Sequence, residues 1–375
     1  MLTAIPYGVV LARITATRWL GINLILWGIF TACTAAAVDY KALLALKIFV
    51  AMFESAVVPS VITIIGSWYQ TAEYGPRIAF CYCGIFVGQN AGDILIWSFG
   101  RVQSSGVQGW QMTELTIGLV TIILGIICIT ILPSSPNKAR LSASEKNAMM
   151  NRLFDRKTHH TTEWPGLQDF GLFSDVLFWE CVAIATLFVL AIAMSPAVAG
   201  LEVAGYADLT VKIIIGQLDT TRVLFCLAVG HAIAMTGKRW ILVIALACIA
   251  LIGEIILRCT QSSSRMTGLF VFIAILLQTS WAVPPIILDQ AAVHFERPVP
   301  RAVTLSLLAS LLELRFISIR LTLNLATGLL VTGIVVCSIR SVCLCVWSSV
   351  RAREEVKKKA GAIPLELVNQ RQRIA

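Results

Sequence analysis

The sequence predicts an all-α integral membrane protein, and three observations carry that expectation. Of 375 residues 57% are hydrophobic and only 14% charged, whereas soluble domains carry about a quarter charged residues. The apolar residues gather in long runs, and a helix that crosses a bilayer needs roughly 20 of them. A soluble helical protein would instead show amphipathic stripes with one charged face.

In order along the chain, the first run is Leu2–Ala12, about half a crossing. Four full-length runs follow: Trp19–Val38, Ala42–Ile64, Ala79–Phe99 and Met112–Leu132. After a polar stretch come Phe178–Gly200, Val211–Ala234, Trp240–Leu257, Thr267–Leu288, the half-length Ala302–Leu312, and Thr322–Trp347. The count is about nine full spans and two short segments. Inside lipid every backbone amide must be satisfied within its own segment, so the long runs are expected to be helices.

The polar stretch divides the chain. Residues 1–132 form an N-terminal helix bundle and 133–175 a charged linker that carries one surface helix. A C-terminal bundle occupies 176–350, and 351–375 is a basic tail containing Lys357–Lys359. Assigning the loops alternately to the two sides places twenty Lys and Arg residues on one side and seven on the other. Positive charge marks the cytoplasmic side, so the central linker and C-terminus are expected there, in a multi-pass protein of the plasma membrane.

The formal charge of +9 sits in short linkers between apolar runs, which is a topology signal and not a nucleic-acid surface. The eleven cysteines include no C-x-x-C, and most lie in apolar runs where a thiol packs as a small hydrophobe. No metal site, cofactor or catalytic constellation emerges. Gly230–Lys238 has the wrong glycine spacing for a phosphate loop, and such a loop needs Ser or Thr after the lysine. A membrane enzyme is therefore the weaker class. No secretory signal, glycosylation sequon or lipidation motif stands out.

Charges inside apolar runs are costly and usually face a bundle interior. Lys47 and Glu54 are seven residues apart, on nearly the same helix face, with a rise of about 10.5 Å that is too long for a direct bridge. Pro59 frees the carbonyl of Ser55 and is expected to kink this helix. Gly84, Gly88 and Gly92 recur at spacing four, which lets membrane helices approach closely, while Gln89, Asn90 and Asp93 ride on the same helix. Asp219 and Arg222 are positioned for a local pair. Glu254 and Asp289 lie near helix ends and are expected to snorkel. His159 and His160 are expected in solvent, and His231 in an interhelical hydrogen bond.

Several of these segments together resemble the allantoate permease family, fungal anion:cation symporters of the major facilitator superfamily. RWLGINLILWGIFTA (Arg18–Ala32) is similar to its third helix. LKIFVAMFESAVVPS (Leu46–Ser60) is similar to R-x-x-L-G-x-x-E-A-x-x-x-P, and WYQTAEYGPR (Trp68–Arg77) to the loop W-Y-x-x-x-E-x-x-x-R. LPSSPNKARLSASEK (Leu132–Lys146) is similar to the opening of its central loop.

The resemblance implies twelve helices in two bundles and alternating access around a midplane site. It implies transport of a small organic anion coupled to a proton by a monomer in the lipid bilayer. Lys47 would attract the anion, Glu54 or Asp93 would exchange the proton, and Arg77 would hold the inward gate. The chain departs from the pattern: the first helix is absent, the second is a stump, the eleventh is shortened, Lys47 replaces Arg and Met52 replaces Gly. A truncated chain is expected on that comparison. Export of a secondary metabolite, or a non-transporting remnant, are the alternatives.

Overall fold

The computed structural model describes residues 10, 14–100, 107–133, 138–153, 173–193, 208–260, 278–295 and 298–312, within one compact unit, Met1–Asn324. Thr322–Trp347, the tail 351–375, His159 and His160 lie outside the described residues, as does all of Leu2–Ala12 except Val10.

The described elements are helical, as lipid requires of a spanning backbone. In chain order they are α1 (Ala16–Thr34), α2 (Tyr40–Glu54), α3 (Val57–Trp68), α4 (Tyr74–Phe99), α5 (Gly109–Ile131), α6 (Ala143–Leu153), α7 (Val176–Ala193), α8 (Asp208–Thr236), α9 (Arg239–Thr260), α10 (Val283–His294) and α11 (Pro298–Leu312). Single 3-10 turns, Thr71–Glu73 and Thr279–Ala282, lead into α4 and α10. Among the described residues four segments are long and apolar enough to cross a bilayer: Ala16–Thr34, Tyr40–Trp68, Thr71–Phe99 and Gly109–Ile131. The predicted surface helix of the linker is α6. It opens on a capping box in which Ser142 N–H donates to Glu145 Oε2 at 2.9 Å and Glu145 N–H to Ser142 Oγ at 3.3 Å.

The helices form two bundles. α1 to α5 pack on one another, α7 to α11 do likewise, and the seam between them is made by α4 against α8 and α10, and by α3 against α11.

The second full span is interrupted where Pro59 was expected to act. α2 ends at Glu54 and α3 begins at Val57, while Ser55 N–H and Ala56 N–H still reach Ala51 O (3.2 Å) and Phe53 O (3.3 Å). Pro59 has no N–H to offer the Ser55 carbonyl, so the ladder breaks there.

Glycines close the N-terminal bundle, but at positions the sequence reading passed over. α1 and α5 run antiparallel with Gly28 facing Gly118 and Gly21 facing Gly125. A Cβ at Gly28 would lie 2.6 Å from Gly118 O, and one at Gly125 would lie 2.9 Å from Ile25 N. At Gly84, Gly88 and Gly92 the same added Cβ would meet nothing within 4 Å among the described residues. The stripe of α4 that meets another helix is Gly75, Ala79, Cys83 and Phe86, rotated about 100° from those glycines.

Candidate functional site

The seam between the bundles can be followed one helical turn at a time along the antiparallel pair α4 and α8. At its first end a Cβ on Gly75 would lie 2.5 Å from Ile233 Cγ2 and 3.4 Å from Asp289 Oδ2. One turn further, a Cβ on Gly230 would sit 2.7 Å from Ala79 Cβ and 3.1 Å from Pro76 Cα. The two backbones therefore touch as closely as glycine allows. Pro76 is tolerated because the first turn of α4 has no intrahelical acceptor for its missing N–H.

This end of the seam carries a cluster of charges. Asp289 is wholly buried, and its Oδ2 accepts from Arg239 Nε at 2.5 Å. Asp289 does not snorkel as expected, because its position on α10 faces α9 and α4 and not the helix end. Arg239 opens α9 directly after the turn at Gly237, whose φ of +62° is the left-handed conformation that glycine adopts without strain. Arg301, 8% exposed, lies against α3: its Nη1 is 3.1 Å from the Cβ position of Gly66, whose carbonyl accepts from Tyr74 Oη at 3.1 Å.

Arg77, expected at a gate, folds back on its own loop. Its Nη1 donates to Glu73 O at 3.0 Å, its Nη2 is 3.8 Å from Glu73 Oε2, and its guanidinium lies 3.8 Å from the centre of the Tyr69 ring. The spacing W-Y-x-x-x-E-x-x-x-R is thus one structural unit, in which an arginine ties down the two residues that precede it on the loop.

Further along the seam is a polar group enclosed by aromatic rings. Arg222 on α8 donates from Nε to Gln278 Oε1 at 2.5 Å. Its guanidinium carbon is 4.5 Å from the centre of Trp281 and 5.8 Å from that of Phe86. Phe86 and Phe188 both meet Trp281 edge to face, at 5.8 Å and 5.9 Å. α4 and the turn before α10 therefore converge on the arginine of α8, and α7 meets the same Trp281 ring through Phe188. The Asp219 side chain lies outside the described residues, as does that of Glu254. The signal for Arg222 was an arginine in an apolar run, read only as a local pair.

The other predicted residues do not gather at this point. Lys47 Nζ pairs with Glu114 Oε1 at 2.7 Å, and Thr34 Oγ1 donates to Glu114 Oε2 at 3.0 Å. That triad joins α1, α2 and α5 within the N-terminal bundle. Glu54 is exposed at the last residue of α2. Gln89 and Asn90 are half-buried on α4, Asp93 is exposed one turn beyond, and His231 is exposed. Among the described residues no three His, Cys, Asp or Glu side chains converge as a metal site would require.

The sequence profile of the Major Facilitator Superfamily matches residues 1–314. The uncharacterized transporter C417.10 of Schizosaccharomyces pombe is 24% identical over 271 residues, covering 67% of this chain and 50% of that protein. The allantoate permease of Saccharomyces cerevisiae is 29% identical over 145 residues, covering 36% of this chain and 26% of the relative. The chain spans about half the length of the first of these relatives. Among solved structures, the proton:xylose symporter XylE bound to 6-bromo-6-deoxy-D-glucose superposes with a TM-score of 0.63 over 92% of this chain and 83% of that one, at 12% identity. That likeness is one of fold.

Proposed function

The chain belongs to the major facilitator superfamily, a family of transporters and not of enzymes, and from that membership we propose that it moves a small organic anion across a membrane together with a proton. The two bundles rock about the α4–α8 seam, exposing a central site to one side and then the other. The observation that carries this reading is Arg222. It is a cation held by Gln278 and aromatic rings, at the level where both bundles meet. A guanidinium presents a planar fork suited to a carboxylate.

On this reading the protein works as a monomer in the plasma membrane, with the central linker 133–175 and the tail on the cytoplasmic side. The seam end built from Gly75, Arg239, Asp289 and Arg301 is then cytoplasmic, and the described arrangement is the one closed to the cytoplasm. Lys47, balanced by Glu114, draws anions toward the bundle; Glu54 or Asp93 exchanges the proton, and Gln89 and Asn90 line the path. The similarity to allantoate permease and the quoted motifs favour the anion:cation symporter branch. The proton coupling named for the symporter of like fold is a parallel.

The test is uptake by the full chain in sealed liposomes. A panel of carboxylates is offered with an acid exterior, and Arg222→Gln and Glu54→Gln are compared with the parent. The expected result is accumulation that collapses when the pH gradient is dissipated and is lost in Arg222→Gln. Accumulation of a neutral solute that Arg222→Gln leaves unchanged would overturn the assignment.

A further inference from the structure

The seam also contains two cysteines from opposite bundles, and we propose that Cys83 and Cys226 are a modification site: a dithiol that closes to a disulfide and ties the two halves together. Cys83 on α4 is 5% exposed and Cys226 on α8 is fully buried. Both belong to the same buried cluster, on the two helices that form the seam. Cys83 Sγ also donates to Val223 O at 3.6 Å, three residues before Cys226 on the same helix face, and Cys226 Sγ donates to Trp281 O at 3.6 Å.

Register supports the same pairing. Gly75 faces Ile233 and Ala79 faces Gly230, so counting one more turn along each antiparallel helix sets Cys83 opposite Cys226. A disulfide needs Cα atoms within about 7 Å of each other, and a helix pair in glycine contact one turn away supplies that approach.

A buried thiol ordinarily packs as a small hydrophobe. Two thiols at facing positions across a boundary that must open for transport have a chemical consequence that a single thiol lacks. Hydrogen peroxide is a sufficient oxidant. The sulfur of one cysteine takes an oxygen from peroxide, giving a sulfenic acid and one water. The second sulfur then displaces that oxygen, which leaves as a second water carrying the remaining thiol proton. Two thiols are oxidised to one disulfide, and one peroxide is reduced to two waters.

The bond would arrest rocking of the bundles; that consequence rests on the transport reading, whereas formation of the bond does not. The experiment uses the full chain in membranes with a protease site placed in the central linker. After treatment with hydrogen peroxide and cleavage, a non-reducing gel should keep the two halves together. Dithiothreitol should separate them, and Cys83→Ala and Cys226→Ala should each lose the linked band. Halves that separate after oxidation, or a linked band that survives either substitution in properly inserted protein, would overturn the site. A linked protein whose uptake is undiminished would overturn the arrest alone.

Discussion

The Asp289 carboxylate and the Arg239 guanidinium meet at 2.5 Å, the acid with no solvent exposure and the base with 19%. They join two helices of the C-terminal bundle at the point where Gly75 of the N-terminal bundle leaves no room for a Cβ beside Asp289 and Ile233. Removing one partner of a buried pair strands the other, at about 3–5 kcal/mol. Asp289→Asn should therefore lower thermal stability in detergent clearly. Asp289→Asn combined with Arg239→Gln should recover much of the loss.

The Gly28–Gly118 contact predicts a second asymmetry. Overpacking of a tight site costs about 1–3 kcal/mol, so Gly118→Leu should destabilise the protein or block its insertion, because a Cβ there would lie 2.6 Å from Ala32 N and 2.7 Å from Gly28 O. Gly88→Leu, with open space around it among the described residues, should change melting by no more than a surface substitution does.

The Lys47–Glu114 pair, half open to its surroundings, should behave as a partly exposed bridge, coupling the residues by about 0.2–1 kcal/mol. Reversal of both charges, Lys47→Glu with Glu114→Lys, should retain more stability than either single reversal. A double-mutant cycle on unfolding measures it. Equal losses for single and double reversals would separate the two residues energetically.

At the linker helix α6, hydrogen bonds from the Ser142 backbone and hydroxyl hold the Glu145 carboxyl below its ordinary pKa. Its contribution is then present above the pKa of the unfolded chain and lost as pH falls through the lower folded value. Hydrogen exchange of α6, corrected for intrinsic rate, should rise on acidification in the parent and show no such step in Glu145→Gln.

Much of this architecture was legible because lipid imposes simple rules. Spans such as Tyr74–Phe99 and Gly109–Ile131 follow from length and hydropathy, and the break after Glu54 follows from Pro59, which lacks an N–H. What sequence could not supply was rotation about each helix axis. Gly84, Gly88 and Gly92 share the favoured spacing, yet the neighbouring stripe through Gly75 and Cys83 meets α8. Runs apolar on every side carry no moment to tell one face from another. For the same reason no pattern showed that Arg222 reaches Gln278, or that Asp289 turns inward to Arg239 and not to the interface. Both are partnered across chain distances that no local pattern encodes.

Whether the two bundles part and close along α4 and α8 is tested most directly by a distance. Spin labels at Thr71, in the loop before α4, and at Lys238, in the turn after α8, flank the end of the seam closed by Gly75 and Ile233. Double electron–electron resonance in liposomes should show a short distance and a second, longer one whose share changes with pH. A single distance, unmoved from pH 5 to pH 8 in protein that accumulates solute, would contradict that motion.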